Sequence, residues 1–259
     1  MSYPGKTIIK ELNEGVLSIT LDRPPVNAID QQMALALRAA FRQAADDSAV
    51  RCVLLAARGE NFSAGQDLAE AASSGNINYQ EHLHTTYNPL ILQIRRLEKP
   101  VLAALQGSVA GAALGIALVC DLRIAAENTR LVVGFLRVGL VPDSGVSLLL
   151  PALVGLGRAN QLALLNTPLE AQTALEWGLV NRVVASGELA RQAMAWANEL
   201  KSGPLQTFGL TKRLFNRNVL GNLEEVLKEE ARVQEIAHHT SEHREGLQAF
   251  LEKRQPKFL

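Results

Sequence analysis

A net charge of either sign is what this sequence lacks. Its 259 residues carry 26 Lys and Arg against 26 Asp and Glu, so no basic field is available to hold a nucleic-acid backbone. Cysteine is nearly missing too. Cys52 and Cys120 both sit in apolar runs and read as buried, reduced core residues, which suits a reducing compartment. No apolar run approaches the roughly 18 residues of a membrane span. The segment Met1-Ser-Tyr-Pro-Gly-Lys6 has neither the apolar stretch of a secretion signal nor the Arg-rich pattern of a transit peptide. The expectation is a cytoplasmic protein with no membrane and no nucleic-acid partner. Several chemical signatures are absent as well. There is no phosphate loop, no His-Glu-x-x-His, no Cys-x-x-Cys and no Gly-x-Ser-x-Gly elbow. Gly155-Leu-Gly157 lacks the third glycine of a dinucleotide loop. No metal site is expected.

What is present is an ordinary globular composition, 47% hydrophobic and 20% charged, at a length that suits one large α/β domain or a core with a helical appendage. Thr7–Glu11 and Val16–Leu21 flank Asn13-Glu-Gly15 and read as a hairpin. Asp30 can cap a helix running to about Ala45. The apolar runs 52–57 and 101–105 read as strands, and 122–125 and 131–133 as shorter ones. A loop is expected at 73–76. A helix is expected over 79–96 with a kink at Pro89, a buried small-residue helix over 110–120, and another near 144–153. Helices at 187–201, 204–218, 223–238 and 241–251 close the chain. Strands alternating with helices imply a mainly parallel sheet. We place the core at 1–200 and a helical region at 201–259.

Two segments stand out: Gly59-Glu-Asn-Phe-Ser-Ala-Gly-Gln-Asp67 and Gly107-Ser-Val-Ala-Gly-Ala-Ala-Leu-Gly115. Each follows an apolar strand and places small residues where the chain turns. Two such turns can aim two backbone N–H groups at one point, which is what a developing oxyanion needs. Asp143, after Val138-Gly-Leu-Val-Pro142, has two readings. It is either the N-cap of the next helix or a carboxyl held in an apolar cleft and usable as a proton carrier. Asp67 reads as a lock on its own turn. His82 and His84 share one side of a helix beside the glycine turns; His238, His239 and His243 read as solvated surface.

Five motifs in order, Asn61–Leu68, Lys99–Gly111, Cys120–Ala125, Glu176–Val180 and Arg244–Arg254, resemble the crotonase, or enoyl-CoA hydratase/isomerase, superfamily. Within it the chain is most similar to the ring-1,2-epoxyphenylacetyl-CoA isomerase-like subgroup. The resemblance implies a spiral α/β core of ββα repeats and a C-terminal helical trimerisation region. It implies homotrimers or dimers of trimers, acyl-CoA thioester substrates, and no cofactor beyond the coenzyme A of the substrate. It makes the backbone N–H groups of Gln66 and Ala112 the oxyanion donors. It puts substrate contacts at Ala64, Gly65, Asp67, Leu68 and Gly111, and at Phe250 and Lys253 from a neighbouring subunit. Hydratases of this family use two glutamates, whose places here are Gly115 and Phe135. The resemblance therefore favours an isomerase in which Asp143 removes and returns a proton. Phe135, with Leu136 and Leu140, is expected to supply an apolar wall, and loop 69–90 with Phe135 to shape the acyl pocket. Enoyl-CoA hydration is the alternative, followed by an inactive acyl-CoA- or RNA-binding relative.

Overall fold

The computed structural model describes residues 7–73 and 78–258; most of the loop expected at 73–76 lies outside them. Strands β1 (Ile8–Asn13) and β2 (Val16–Leu21) form the expected hairpin. Its tip, Glu14-Gly15, has positive φ at both residues, the twist that a tight two-residue hairpin needs. The remaining strands are β3 (Cys52–Ala57), β4 (Val101–Leu105), β5 (Ser108–Ala110), β6 (Leu122–Ala126), β7 (Arg130–Val132), β8 (Leu169–Glu170) and β9 (Arg182–Val184). One sheet has the order β1-β2-β3-β4-β6-β9 and is parallel from β2 onward. A second, smaller sheet has the order β5-β7-β8.

The apolar runs are continuous because the central strands are covered on both faces. Val53 and Leu55 join one core cluster with Met33, Leu37 and Phe41 of helix Gln31–Asp46. Cys52 and Leu54 point the other way, against Ala193 and Trp196 of helix Leu189–Lys201. Asp30 caps the first of these helices, accepting from the Met33 N–H at 2.7 Å. Burial pushes the thiols of Cys52 and Cys120 up to about 12, so both stay protonated and inert, as core residues should.

The chain climbs by repeats of strand, short strand, helix. β4 is followed by β5 and helix Ala112–Val119, and β6 by β7 and the 3₁₀ turn Phe135–Val138. Every residue of helix Ala112–Val119 is buried. Its C-terminal carbonyls are held by the buried Arg123, which donates to Leu118 O at 3.2 Å and Cys120 O at 2.7 Å.

The helix expected over 79–96 is two helices, Tyr79–Thr85 and Tyr87–Arg96. The break is at Thr86, not at Pro89. A proline ring collides with the carbonyl four residues back but is tolerated in a first turn, so the new helix starts just before it. The C-terminal helices are Leu205–Val219, Leu223–His238 and Ser241–Leu251. Lys212 anchors the first of them to Asp121 at 2.7 Å. Among the described residues no helix is long and apolar enough to cross a membrane.

Candidate active site

The two glycine turns meet. Gly65 has φ +90, and a Cβ added there would lie 2.6 Å from the Ala110 carbonyl oxygen and 3.5 Å from the Ala112 nitrogen. Only glycine fits, and its absence of side chain lets the two loops touch. Ser63 bridges to Val109 beside this contact, with Ser63 N–H donating to Ser108 O and Ala110 N–H to Ser63 O. Gly111, at φ +56 and ψ −127, turns the chain into helix Ala112–Val119. Ala112 is that helix's first residue, where the N–H has no intrahelical acceptor. Among the described residues no backbone carbonyl outside helices and strands accepts from Gln66 N–H or Ala112 N–H. Both amides are free for a ligand, and the second carries the positive end of a helix dipole.

A cavity of about 310 Å³ opens onto these turns. Of the residues expected at the site, Ala64, Gln66, Leu68, Gly111, Ala112, Phe135, Leu140 and Phe250 line it. The wall is mainly apolar and, among the described residues, holds no carboxylate. Gly65 supports the wall from behind. Asp67 does not line the cavity: it pairs with Arg23 at 2.7 Å and accepts the N–H groups of Ala69 and Glu70. These partners hold its carboxyl below its ordinary range against the opposing effect of burial, and it locks the turn as expected. Phe250 lines this cavity in its own chain. Lys253 is exposed past the end of the last helix and is not part of the wall. Among the described residues, none of 69–90 lines the cavity either. That segment packs its helices against Leu223–His238 and Gln31–Asp46, and meets the wall beside Leu68 and where His82 approaches Gln66.

Asp143 is 2% exposed and does not itself line the cavity; it meets the wall through Gln234, which does. The N-cap reading is wrong. The following helix starts at Val146, and Gly145 is its N-cap without a side-chain bond. The Asp143 carboxyl instead accepts from the Ser144 hydroxyl at 2.8 Å and from Gln234 Nε2 at 2.7 Å. Burial pushes it up to about 6, against the opposing pull of these two donors. The capping role falls to Glu230, which accepts from Gly145 N–H, Ser147 N–H and the Ser147 hydroxyl. Burial raises Glu230 to about 7.

Gly115, one of the two places where a glutamate was expected to be missing, is filled from outside. A Cβ there would lie 2.4 Å from the Ser144 carbonyl oxygen. The absent side chain is what lets the loop carrying Asp143 pack onto helix Ala112–Val119. Phe135, the other place, is 7% exposed and lies on the wall.

Gln234 and Glu230 were not legible as site residues. The available signal was two polar residues interrupting the buried stripe Leu223, Leu227, Ala231. The histidines depart in part from the surface role expected of them. His243 is 2% exposed, donates from Nδ1 to the Val138 carbonyl at 2.7 Å, and packs against Tyr79 and His238. It is buried because Ser241–Leu251 lies flat on the 3₁₀ turn. Gly246 makes this possible, since a Cβ there would come 2.6 Å from Val138 Cα. His239 is exposed and paired with Glu235. His82 Nε2 lies 3.4 Å from Gln66 Nε2, while His84 is exposed.

The model of a family described as enoyl-CoA hydratase/isomerase matches residues 11–259. The chain is 36% identical to the 1,2-epoxyphenylacetyl-CoA isomerase of Escherichia coli K12, over 97% of each protein. It is 38% identical to a probable enoyl-CoA hydratase of Rhodobacter capsulatus, over 100% of this chain and 99% of that one. Its fold superposes with a TM-score of 0.88 on the crystal structure of an enoyl-CoA hydratase from Mycobacterium avium subsp. paratuberculosis, at 33% identity, covering 99% and 100% of the two chains.

Proposed function

The chain belongs to the enoyl-CoA hydratase/isomerase family, and on that premise we propose that it isomerises an enoyl- or aryl-derived CoA thioester rather than hydrating one. One observation carries the choice. The two places for hydratase glutamates hold Gly115 and Phe135, and the former is packed shut by the Asp143–Ser144 loop. Hydration needs one group to hold and deprotonate water while a proton reaches the α-carbon. Glycine and phenylalanine do neither. A single carboxylate suffices for an isomerisation, because proton removal and return are sequential.

In this reading the thioester oxygen accepts from the N–H groups of Gln66 and Ala112, which stabilise the enolate as negative charge builds. The Asp143 carboxylate takes a proton from the acyl chain, leaving a dienolate, and the same group returns it at another carbon. Phe135 and Leu140 keep water from that intermediate. Each oxygen of Asp143 uses one acceptor site on Ser144 or Gln234, and a carboxylate has about four, so acceptor capacity remains for the substrate proton. No cofactor beyond the coenzyme A of the substrate is needed. Self-association into a trimer or pair of trimers would cover the exposed Leu156, Leu164, Leu165, Leu214 and Phe215.

The test is a product assay with linear 2- and 3-enoyl-CoA and a ring-epoxide CoA thioester, run with the wild type and Asp143→Asn. Double-bond or ring isomerisation lost in the variant, with thioester binding kept, supports the proposal. Crotonyl-CoA hydration outpacing every isomerisation, or undiminished isomerisation by Asp143→Asn, overturns it.

A further inference from the structure

Helix Leu223–His238 sends two polar side chains from one face, four residues apart, into the loop 141–147. Gln234 is fully buried yet touches the cavity wall. Its Oε1 accepts from Val141 N–H at 2.9 Å, and its Nε2 donates to Asp143 Oδ2 at 2.7 Å. The amide orientation follows from the chemistry, because a backbone N–H can only donate. The nitrogen must therefore face the carboxylate. Glu230 grips the loop on the far side of Asp143, through Gly145 N–H at 2.8 Å, Ser147 N–H at 3.1 Å and the Ser147 hydroxyl. Asp143 is thus held between two anchors on one rigid element. The loop's own backbone gives it no regular support: Ser144 has φ +56 and Gly145 φ +80, a shape outside helix and strand, and Gly115 supports it only from the side of Ser144.

We propose that Gln234 and Glu230 are positioning residues for Asp143, with Gln234 aiming the carboxylate at the cavity and Glu230 pinning the loop that carries it. This rests on the isomerase reading above and deepens it, since neither residue touches the substrate's reacting carbons through chemistry of its own. The arrangement makes the C-terminal helical region part of the catalytic apparatus rather than a surface for assembly alone.

Gln234→Met keeps the side-chain length and removes the donor. The expected result is a fall in kcat of about 10²-fold, the scale of a small misplacement of a catalytic group, with KM nearly unchanged. The lower limb of the pH–kcat profile should also move upward, because the lost amide hydrogen bond favoured the charged carboxylate. A residue that merely filled space would change thermal stability and leave that limb where it was. Ser147→Ala, which removes one hydroxyl from Glu230 and little else, should lower kcat by a smaller factor, again without raising KM; it serves as the second test should Gln234→Met fold poorly. Wild-type kcat and an unmoved limb in Gln234→Met, beside an inactive Asp143→Asn, would overturn the positioning role and leave the isomerase reading standing. An active Asp143→Asn would overturn both.

Discussion

Asp143 and Glu230 are two carboxyl groups that the fold forces out of water, and burial raises both. The consequence for catalysis has a definite sign. A base must be ionised to take a proton, so kcat should rise as pH increases through about 6, where Asp143 loses its proton. A pH–rate profile at saturating thioester checks this. The consequence for stability has the opposite sign. A native pKa above the unfolded one means that the native state holds the extra proton at low pH, so this contribution is full below the ordinary carboxylate range and is lost as pH rises toward 6. Asp143→Asn should therefore unfold at a higher temperature than the wild type at pH 8, with the difference shrinking toward pH 4. Calorimetry at the two pH values decides it. Ala112→Pro tests the oxyanion turn. Proline is accepted at the first position of a helix, so the fold should survive while one donor disappears. The expected barrier increase is about 2.7–4 kcal/mol, read as a loss in kcat/KM with the melting temperature retained.

Two contacts between elements set the site, and both depend on glycine. At Gly115 the Ser144 carbonyl comes within 2.4 Å of where a Cβ would stand. Gly115→Ala must push back the loop that carries Asp143. Overpacking of this kind costs about 1–3 kcal/mol, and here it should lower kcat as well as the melting temperature. For the same reason Gly115→Glu with Phe135→Glu should yield no hydratase, because the first glutamate has no room; a crotonyl-CoA hydration assay checks this. The second contact is Gly246 on Val138 and Gly139. It lays helix Ser241–Leu251 over the 3₁₀ turn and brings Phe250 to the cavity. The motif residues Arg244–Arg254 mark this helix in the sequence, but nothing in their spacing says that Phe250 meets this cavity. The contact of the helix with the 3₁₀ turn decides that. The kink was placed at Pro89 from the residue type alone. The break at Thr86 follows from a constraint acting four residues earlier.

For the molecule as a whole, two imidazoles are among the groups by which the C-terminal helices pack on the rest of the chain. Burial lowers the pKa of His238 and His243, so the native state binds fewer protons there than the unfolded chain does. Their contribution is present above the ordinary imidazole value and is lost as pH falls through their lowered ones. His243→Asn should flatten the acid limb of a melting-temperature profile below the ordinary imidazole value. A profile parallel to the wild type would reject this account. The exposed apolar residues on helices Leu156–Leu165 and Leu205–Val219 belong to the same scale. If they are covered by copies of this chain, light scattering should give a mass three or six times that of one chain.

Local pattern alone determined the alternation of strands and helices, the glycine turns and the small-residue helix behind them, because each rests on periodicity or backbone freedom within a few neighbouring residues. The ordered motifs determined the family and pointed to Asp143. Only the tertiary structure decided what surrounds that carboxyl. Its burial, its bond to Gln234 91 residues away, and the space it gains from Gly115 are contacts between distant segments. A buried polar side chain on an amphipathic helix looks like any other interruption of an apolar stripe until its partner is in place.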